Sequence, residues 1–450
     1  MTGVSLSRWT MSYFAAALTA LIAAEVLMAV GYGFPNAAIE APKTLILVHV
    51  VAIGWLSLLM CGALFQFVPV LIARPLWSNN LPLPALLCLI AGLVALLLGF
   101  LQLDGQIDWN RAFFPLAAVL LGAGFVLVLW NMACTLWPVR PLPLQARFVV
   151  VGLFSVAVTA TLGIIFALVI GGATVDETFV AVAGSDLPIH VVLGLGGWLT
   201  FTAMGVSYRL LAMFMLAPEL DRPSTRAAFR LGTAALAVAM GGAVAIALGA
   251  SINLILLTAG GVGLAALVFY AADIVHLYHA RKRSNIELNS RMAALALVSL
   301  MAAVVLIIVL LACGRLSDRA GAVVFLIAFG WLSGLGLAQL YKIVAFLTWL
   351  ECYGPVLGKT QTPRVQDLVV ERRAIKWFAL YFLAVWAGTA ALLAGHAGAF
   401  QGAAAAALVA TVGIAAQLVR TRRLADVKTA VRLPQGSRRP RLLLSLPQQT

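Results

Sequence analysis

The chain has 450 residues, of which 63% are apolar and 10% are charged, and its formal net charge is +14. A soluble protein carries about a quarter charged residues, so this composition excludes a sizeable soluble domain. Apolar stretches recur along the whole length, and each is long enough to cross a bilayer about 30 Å thick as a helix. The sequence therefore predicts an all-α integral membrane protein that crosses the membrane many times.

Twelve membrane-spanning helices are predicted, numbered here as spans 1 to 12. The first lacks a convincing cleavage site, so we interpret it as a retained helix rather than a signal peptide. The predicted limits are 11–33, 44–72, 83–103, 112–137, 147–172, 188–216, 228–250, 253–280, 292–313, 321–350, 374–395 and 399–420. This divides the chain into a short N-terminus (1–10), a membrane domain (11–420) and a C-terminal tail (421–450).

The basic residues predict the orientation. The N-terminus, the even-numbered loops and the tail hold 24 of the 30 Lys and Arg residues, while the odd-numbered loops hold four. Such an asymmetry places both termini in the cytoplasm of a bacterial inner-membrane protein. The net charge is thus a sign of topology, and no nucleic-acid partner is predicted. The tail is basic and rich in proline, which favours a disordered segment near anionic lipid or, alternatively, one that binds a partner.

A short motif recurs on every fourth span. It reads Gly54–Ser57 on span 2, Gly197–Thr200 on span 6 and Gly330–Ser333 on span 10, and each copy begins Gly-Trp-Leu. A small, an aromatic and a polar residue then follow each tryptophan at offsets of 7, 10 and 11: Gly62, Phe65 and Gln66; Gly205, Tyr208 and Arg209; Ala338, Tyr341 and Lys342. This predicts three repeats of four helices (about 11–140, 147–281 and 292–420) around a pseudo-threefold axis.

Twelve helices in three groups of four resemble the catalytic subunit of heme-copper oxidases. The motif on span 2 also resembles NnrS-type membrane proteins, a heme- and copper-containing family linked to the nitric oxide response. There His49 precedes Gly54 by five residues, Gly62 follows by eight and Pro69 by seven more. On span 6, His190 precedes its motif glycine by seven residues. The resemblance implies a heme-binding protein in respiratory or nitric-oxide-related physiology.

The chain departs from the oxidases in its histidines. In that superfamily three histidines hold copper, a fourth holds the adjacent heme, and two more hold a low-spin heme. This chain has five histidines in total, and span 10 has none, with Val323 and Phe325 at the matching positions. The complete oxygen-reducing site cannot be built. We therefore expect no terminal oxidase, and no catalytic residue is assigned.

His49 and His190 are the candidate ligands of a heme or metal. A neutral imidazole inside a span can ligate heme iron axially, and two histidines lining one cavity would hold one heme b or one copper ion. The alternative is an interfacial histidine bonded to a loop carbonyl. Asp186 would orient His190 or lie solvated in a loop. Copper has weaker support, since Met60, Cys61, Met204, Met213 and Met215 suit Cu(I) but are equally typical of packing.

The remaining histidines have simpler interpretations. His276 and His279 lie one turn apart at the end of span 8, where a cationic cap is favoured, although Asp273 three residues earlier keeps a metal site possible. His396 lies in a short loop and is expected to be exposed.

Four polar residues lie inside spans, where charges are costly and usually functional. Gln66, Arg209 and Lys342 share one motif position and would bind an anion or line a water path, or would snorkel to the interface. Glu25 on span 1 is a candidate for a proton path or a group that bonds two helices. These residues support the alternative function, a transporter or a respiratory-complex assembly factor without heme. A third interpretation is a structural partner of a respiratory complex.

Overall fold

The structure is a computed structural model that describes residues 7–108, 112–247 and 249–445. Within these residues, twelve helices are long and apolar enough to cross a membrane, which confirms the predicted number. Most predicted limits lie within a few residues of the observed ones. The spans are Thr10–Ala29, Pro42–Ile72, Pro82–Leu103, Phe113–Leu136, Leu144–Ile170, Leu187–Met215, Pro223–Ile246, Ile252–His279, Leu288–Ala312, Leu316–Val356, Glu371–Ala394 and Ala397–Arg422.

The helices form two compact units. The first contains the chain up to Pro69 and from Glu287 onward, and so holds spans 1, 2 and 9–12. Within it, span 1 packs against span 12 and the middle of span 2, span 9 packs along span 10, and span 11 packs against span 12. Its largest fully buried side chains are aromatic, including Trp55, Trp331 and Tyr381.

The second unit runs from Val70 to Ile286 and holds spans 3–8. Here span 3 packs against span 4, span 5 against span 6, and span 7 against span 8. One additional helix, Glu177–Ser185, precedes span 6, and Asp176 caps it by accepting hydrogen bonds from the backbone N–H groups of Thr178 and Phe179. We did not predict this helix, because it is too short to be distinguished from a loop by its apolar pattern.

Each copy of the Gly-Trp motif lies in a π-helical segment. These segments are Val50–Ser57 on span 2, Val192–Phe201 on span 6 and Leu326–Ser333 on span 10. A π-helix bonds each N–H five residues back, which widens the turn, and such segments are rare and frequently lie at functional sites. The π-helical conformation was not predicted, but it falls on the three copies of one motif.

Glycines of the motif allow the preceding span to approach closely. A Cβ at Gly62 would lie 2.6 Å from the Tyr13 Cβ on span 1, and one at Gly205 would be closer still to Phe148 on span 5. The aromatic residue of each of these two copies then contacts the same neighbour, since Phe65 packs on Tyr13 at 5.4 Å and Tyr208 on Phe148 at 5.7 Å between ring centroids. Helix pairs 1–2 and 5–6 therefore pack in the same way.

The segment after span 12 packs back onto the helices. Leu424 and Val427 join a buried cluster with Cys352, Tyr353 and Leu368. The Arg422 guanidinium donates to the carbonyls of Arg441 and Leu444. The segment therefore contacts the helices through apolar burial and through hydrogen bonds to a buried guanidinium, while the disordered tail stays a prediction. Residues 1–6 and 446–450 of the predicted termini lie outside the described residues.

Candidate functional site

His49 is the last residue of the α-helical part of span 2, directly before the first π-helical segment. Its side chain is half-buried, and Nδ1 lies 2.7 Å from the Leu45 carbonyl oxygen. A carbonyl only accepts, so Nδ1 carries the proton, and a neutral ring then has its lone pair on Nε2. This is the arrangement in which a histidine ligates a metal, since a backbone bond to one nitrogen fixes the tautomer.

His190 lies two residues before the second π-helical segment and has the same tautomer. Its Nδ1 lies 3.0 Å from the Thr159 carbonyl oxygen on span 5, and its ring packs 5.4 Å from that of Phe166. Gly163 leaves room for the imidazole, because a Cβ there would lie 3.2 Å from Cε1 of His190. Span 5 therefore supplies the surroundings of this histidine.

Asp186 does not orient the His190 ring. Its carboxylate Oδ1 accepts a hydrogen bond from Ser185, and Oδ2 has no partner among the described residues. Burial raises the pKa of the Asp186 carboxyl. The orienting group is instead the Thr159 carbonyl, which sequence reasoning missed because no local pattern connects residues 31 positions apart.

The third π-helical segment has a phenylalanine where the first has a histidine. Phe325 immediately precedes the segment and stacks on Phe329, with ring centroids 4.8 Å apart. It also contacts Phe400 edge-on at 5.2 Å. On span 10, aromatic packing therefore occupies the position that corresponds to the candidate ligand His49.

His49 belongs to the first unit and His190 to the second, so the fit to a heme is assessed for each alone. A neutral imidazole with its Nδ1–H bound and its Nε2 lone pair available is the donor that axial heme ligation requires. In both histidines Nδ1 is bound to a backbone carbonyl, which is the tautomer that this requirement calls for. The described ranges contain no group of three or more His, Cys, Asp and Glu side chains that could hold a metal ion.

The other histidines lie at the surface. His276, His279 and His396 are exposed. Asp273 is fully buried and points away from the surface, where it accepts hydrogen bonds from the hydroxyls of Tyr208 at 3.0 Å and Ser224 at 2.5 Å. These hydrogen bonds direct the Asp273 carboxylate toward Tyr208 and Ser224, so it does not form a metal site with His276.

The candidate soft ligands on span 6 do not share one environment. Met204 and Met215 are buried, while Met213 is 42% exposed. This distribution is typical of packing.

The three polar residues that follow the motif each bind a partner within their own unit. Gln66 accepts a hydrogen bond from the backbone N–H of Ser7 at 2.9 Å. Lys342 forms an ion pair with Glu287 at 2.5 Å. Arg209 pairs with Glu219. These contacts hold helix ends to adjoining segments, and the binding of an anion or a water path at these positions stays a prediction.

Two further polar contacts of the first unit were not predicted. The Trp55 Nε1–H donates to Ser333 Oγ at 2.7 Å, which joins the π-helical segments of spans 2 and 10. The Tyr381 hydroxyl donates to the Phe329 carbonyl at 2.9 Å. The repeated motif identified Trp55 and Ser333 in the sequence. Their hydrogen bond, however, depends on how spans 2 and 10 pack.

Comparison with solved structures shows a likeness in fold to an oxidase. The chain is similar to a heme-copper terminal oxidase dimer determined by cryo-EM, with a TM-score of 0.62 and 14% sequence identity, over 97% of this chain and 85% of that chain. No family model matches, and no curated protein matches. At this identity the likeness shows the fold alone, which is that of a multi-pass membrane protein resembling the oxidases. The resemblance to NnrS-type proteins stays a prediction.

Proposed function

We propose that this chain uses its oxidase-like fold to bind heme, without reducing oxygen, in respiratory or nitric-oxide-related physiology. The observation that carries the proposal is the hydrogen bond from His49 Nδ1 to the Leu45 carbonyl, which directs the ring's lone pair to Nε2. His49 is thus the proposed axial ligand. His190, held in the same tautomer by Thr159, is a second proposed ligand that is tested separately.

The cofactor and the protein would have different roles in this function. A bound heme b would supply an iron centre for one-electron transfer or for a diatomic ligand. The protein's part is to hold the imidazole. The partner of His49 lies one turn earlier on the same helix, so the ring is oriented before any ligand binds. Copper is a less favoured occupant, because sequence and structure offer few converging soft ligands.

The proposal also covers the internal repeats, the membrane location and the partner of the protein. We infer three repeats of four helices, a bacterial inner-membrane location, cytoplasmic termini and a respiratory or redox partner. The coincidence of three π-helical segments with three motif copies supports the repeats. The alternative remains a transporter or assembly factor that uses Gln66, Arg209 and Lys342, and it predicts that Arg209→Ala or Lys342→Ala abolishes function while His49→Ala does not.

The test is the absorption spectrum of protein purified from heme-replete cells, both oxidised and dithionite-reduced. We expect a Soret band that is lost in His49→Ala and restored in part when imidazole is added to that variant. His396→Ala, which changes an exposed histidine, should leave the band unchanged. His190→Ala is measured in the same way and is expected to weaken or shift the band. Wild-type protein without any heme absorption would disprove the proposal.

A further inference from the structure

Glu25 is a fully buried acid inside span 1. Its Oε1 accepts a hydrogen bond of 2.8 Å from the Thr411 hydroxyl on span 12. Its Oε2 is also buried and has no hydrogen-bond partner among the described residues. One carboxyl oxygen therefore bonds two helices together, while the other lacks a structural role.

The surroundings of Glu25 contain no described positive charge that pairs with it. Span 1 packs against span 12 and against the π-helical segment of span 2. The titratable group that interacts with Glu25 is the Tyr381 hydroxyl on span 11, which donates to the Phe329 carbonyl. An ionised carboxylate in such a place carries a large desolvation cost, and addition of a proton removes it.

A second buried acid of the same unit shows the contrast. Glu351 is 3% exposed and binds the Arg422 guanidinium at 2.9 Å, so a fixed charge neutralises it. Glu25 lacks such a partner. A neutral Glu25 therefore requires a proton or another cation taken up from outside the protein.

We propose that Glu25 is a proton-binding site within the membrane domain, which takes up a proton on Oε2 and releases it. Uptake forms one O–H bond on Oε2 and breaks one in the hydronium ion that delivers the proton, which leaves as water, and release is the reverse step. Thr411 holds Oε1 and so directs the exchange to Oε2. Glu25 lies 15 residues beyond Thr10 and four residues before Ala29, so it is about 6 Å, or roughly one helical turn, from the end of span 1.

A series of hydrogen-bonded groups includes Tyr381, the hydroxyl that interacts with Glu25. Tyr381 contacts the carbonyl of Phe329 in the π-helical segment of span 10, and Ser333 of that segment accepts from Trp55 and donates to the Ala328 carbonyl. Tyr381 and Thr411 are thus the two hydroxyl groups that interact with Glu25. The inference is independent of heme binding, because it concerns a different residue and requires no cofactor.

The test is infrared difference spectroscopy of the full-length protein in lipid, with wild type compared to Glu25→Gln. We expect a C=O stretching band of a protonated carboxyl that is present only in the wild type and shifts on transfer to D₂O. The band should decrease as pH rises. A missing band, or a band that does not shift in D₂O, would overturn the proposal. A band removed by sodium at constant pH would overturn it in favour of a sodium site.

Two further variants separate this role from a structural one. Thr411→Val keeps the acid and removes the hydrogen bond to Oε1, so the band should persist at a higher frequency. Glu351→Gln changes the paired acid and should leave the band as it is. Loss of the band in Glu351→Gln protein that thermal unfolding shows to be folded at the temperature of the measurement, or an unchanged frequency in Thr411→Val, would assign the signal to another carboxyl and contradict the proposal.

Discussion

At the scale of single residues, a buried guanidinium organises the end of the first unit. Arg422 is 4% exposed and binds Glu351 at 2.9 Å, the Thr348 hydroxyl at 3.1 Å, and carbonyls of the C-terminal segment. Several N–H groups of the Arg422 guanidinium therefore donate hydrogen bonds in surroundings that are almost inaccessible to water. Removal of one partner from such a pair leaves an uncompensated buried charge.

We expect Glu351→Gln to destabilise the protein by about 3–5 kcal/mol, the typical cost of breaking a buried ion pair. The measurement is the thermal unfolding midpoint in detergent. Asp221→Asn is the matched control, because Asp221 pairs with Arg226 at 2.8 Å but both side chains are more than half exposed, so the midpoint should hardly change. Equal midpoints for the two variants would contradict the argument.

Single residues also show which contacts can be predicted from the local sequence and which cannot. His49 was identifiable as a candidate, because a histidine beside a Gly-Trp pair in an apolar span is unusual. Its hydrogen bond to Leu45 lies within one helical turn and was accessible to local reasoning. The Thr159 carbonyl that holds His190 comes from another span, and its contact depends on how two helices pack.

At the scale of elements, helix pairs 1–2 and 5–6 depend on a glycine at one motif position. A Cβ at Gly205 would overlap the Phe148 side chain and approach the Gln145 carbonyl to 3.0 Å. Backbone cannot move aside as a flexible side chain can. The position therefore requires glycine for packing, although alanine is the better helix former.

Gly205→Ala should destabilise the protein by about 1–3 kcal/mol through overpacking. Gly241→Ala on span 7 is the control, because a Cβ there meets no atom within 4 Å, and it should be neutral or slightly stabilising. Both are compared by thermal unfolding in the same detergent. The packing argument fails if Gly205→Ala is as stable as the wild type.

The π-helical segments are the element that the sequence did not predict. Periodicity describes which face of a helix is apolar, and these segments are apolar on all sides. Without a polar face, no pattern distinguishes a bond to the fifth preceding residue from one to the fourth. Each segment contains one buried tryptophan, Trp55, Trp198 or Trp331.

At the scale of the whole molecule, the distribution of basic residues predicts the orientation. Cys313 offers a direct test, because it is exposed and follows span 9, on the predicted periplasmic side. The other four cysteines are buried or half-buried. A polar, membrane-impermeant maleimide should therefore label Cys313 in intact spheroplasts, while Cys313→Ser should remain unlabelled. Labelling that appears only after lysis would show the opposite orientation.

The sequence by itself determined the membrane class, the twelve spans and the absence of enough histidines for an oxygen-reducing site. These follow from composition and from apolar stretches, because insertion into lipid depends on each segment's own residues. The tertiary structure decided that Glu25 meets Thr411, that Trp55 meets Ser333 and that Arg422 holds the C-terminal segment. The first two contacts join residues hundreds of positions apart, and all three depend on the fit between side chains of packed elements, which no local pattern records.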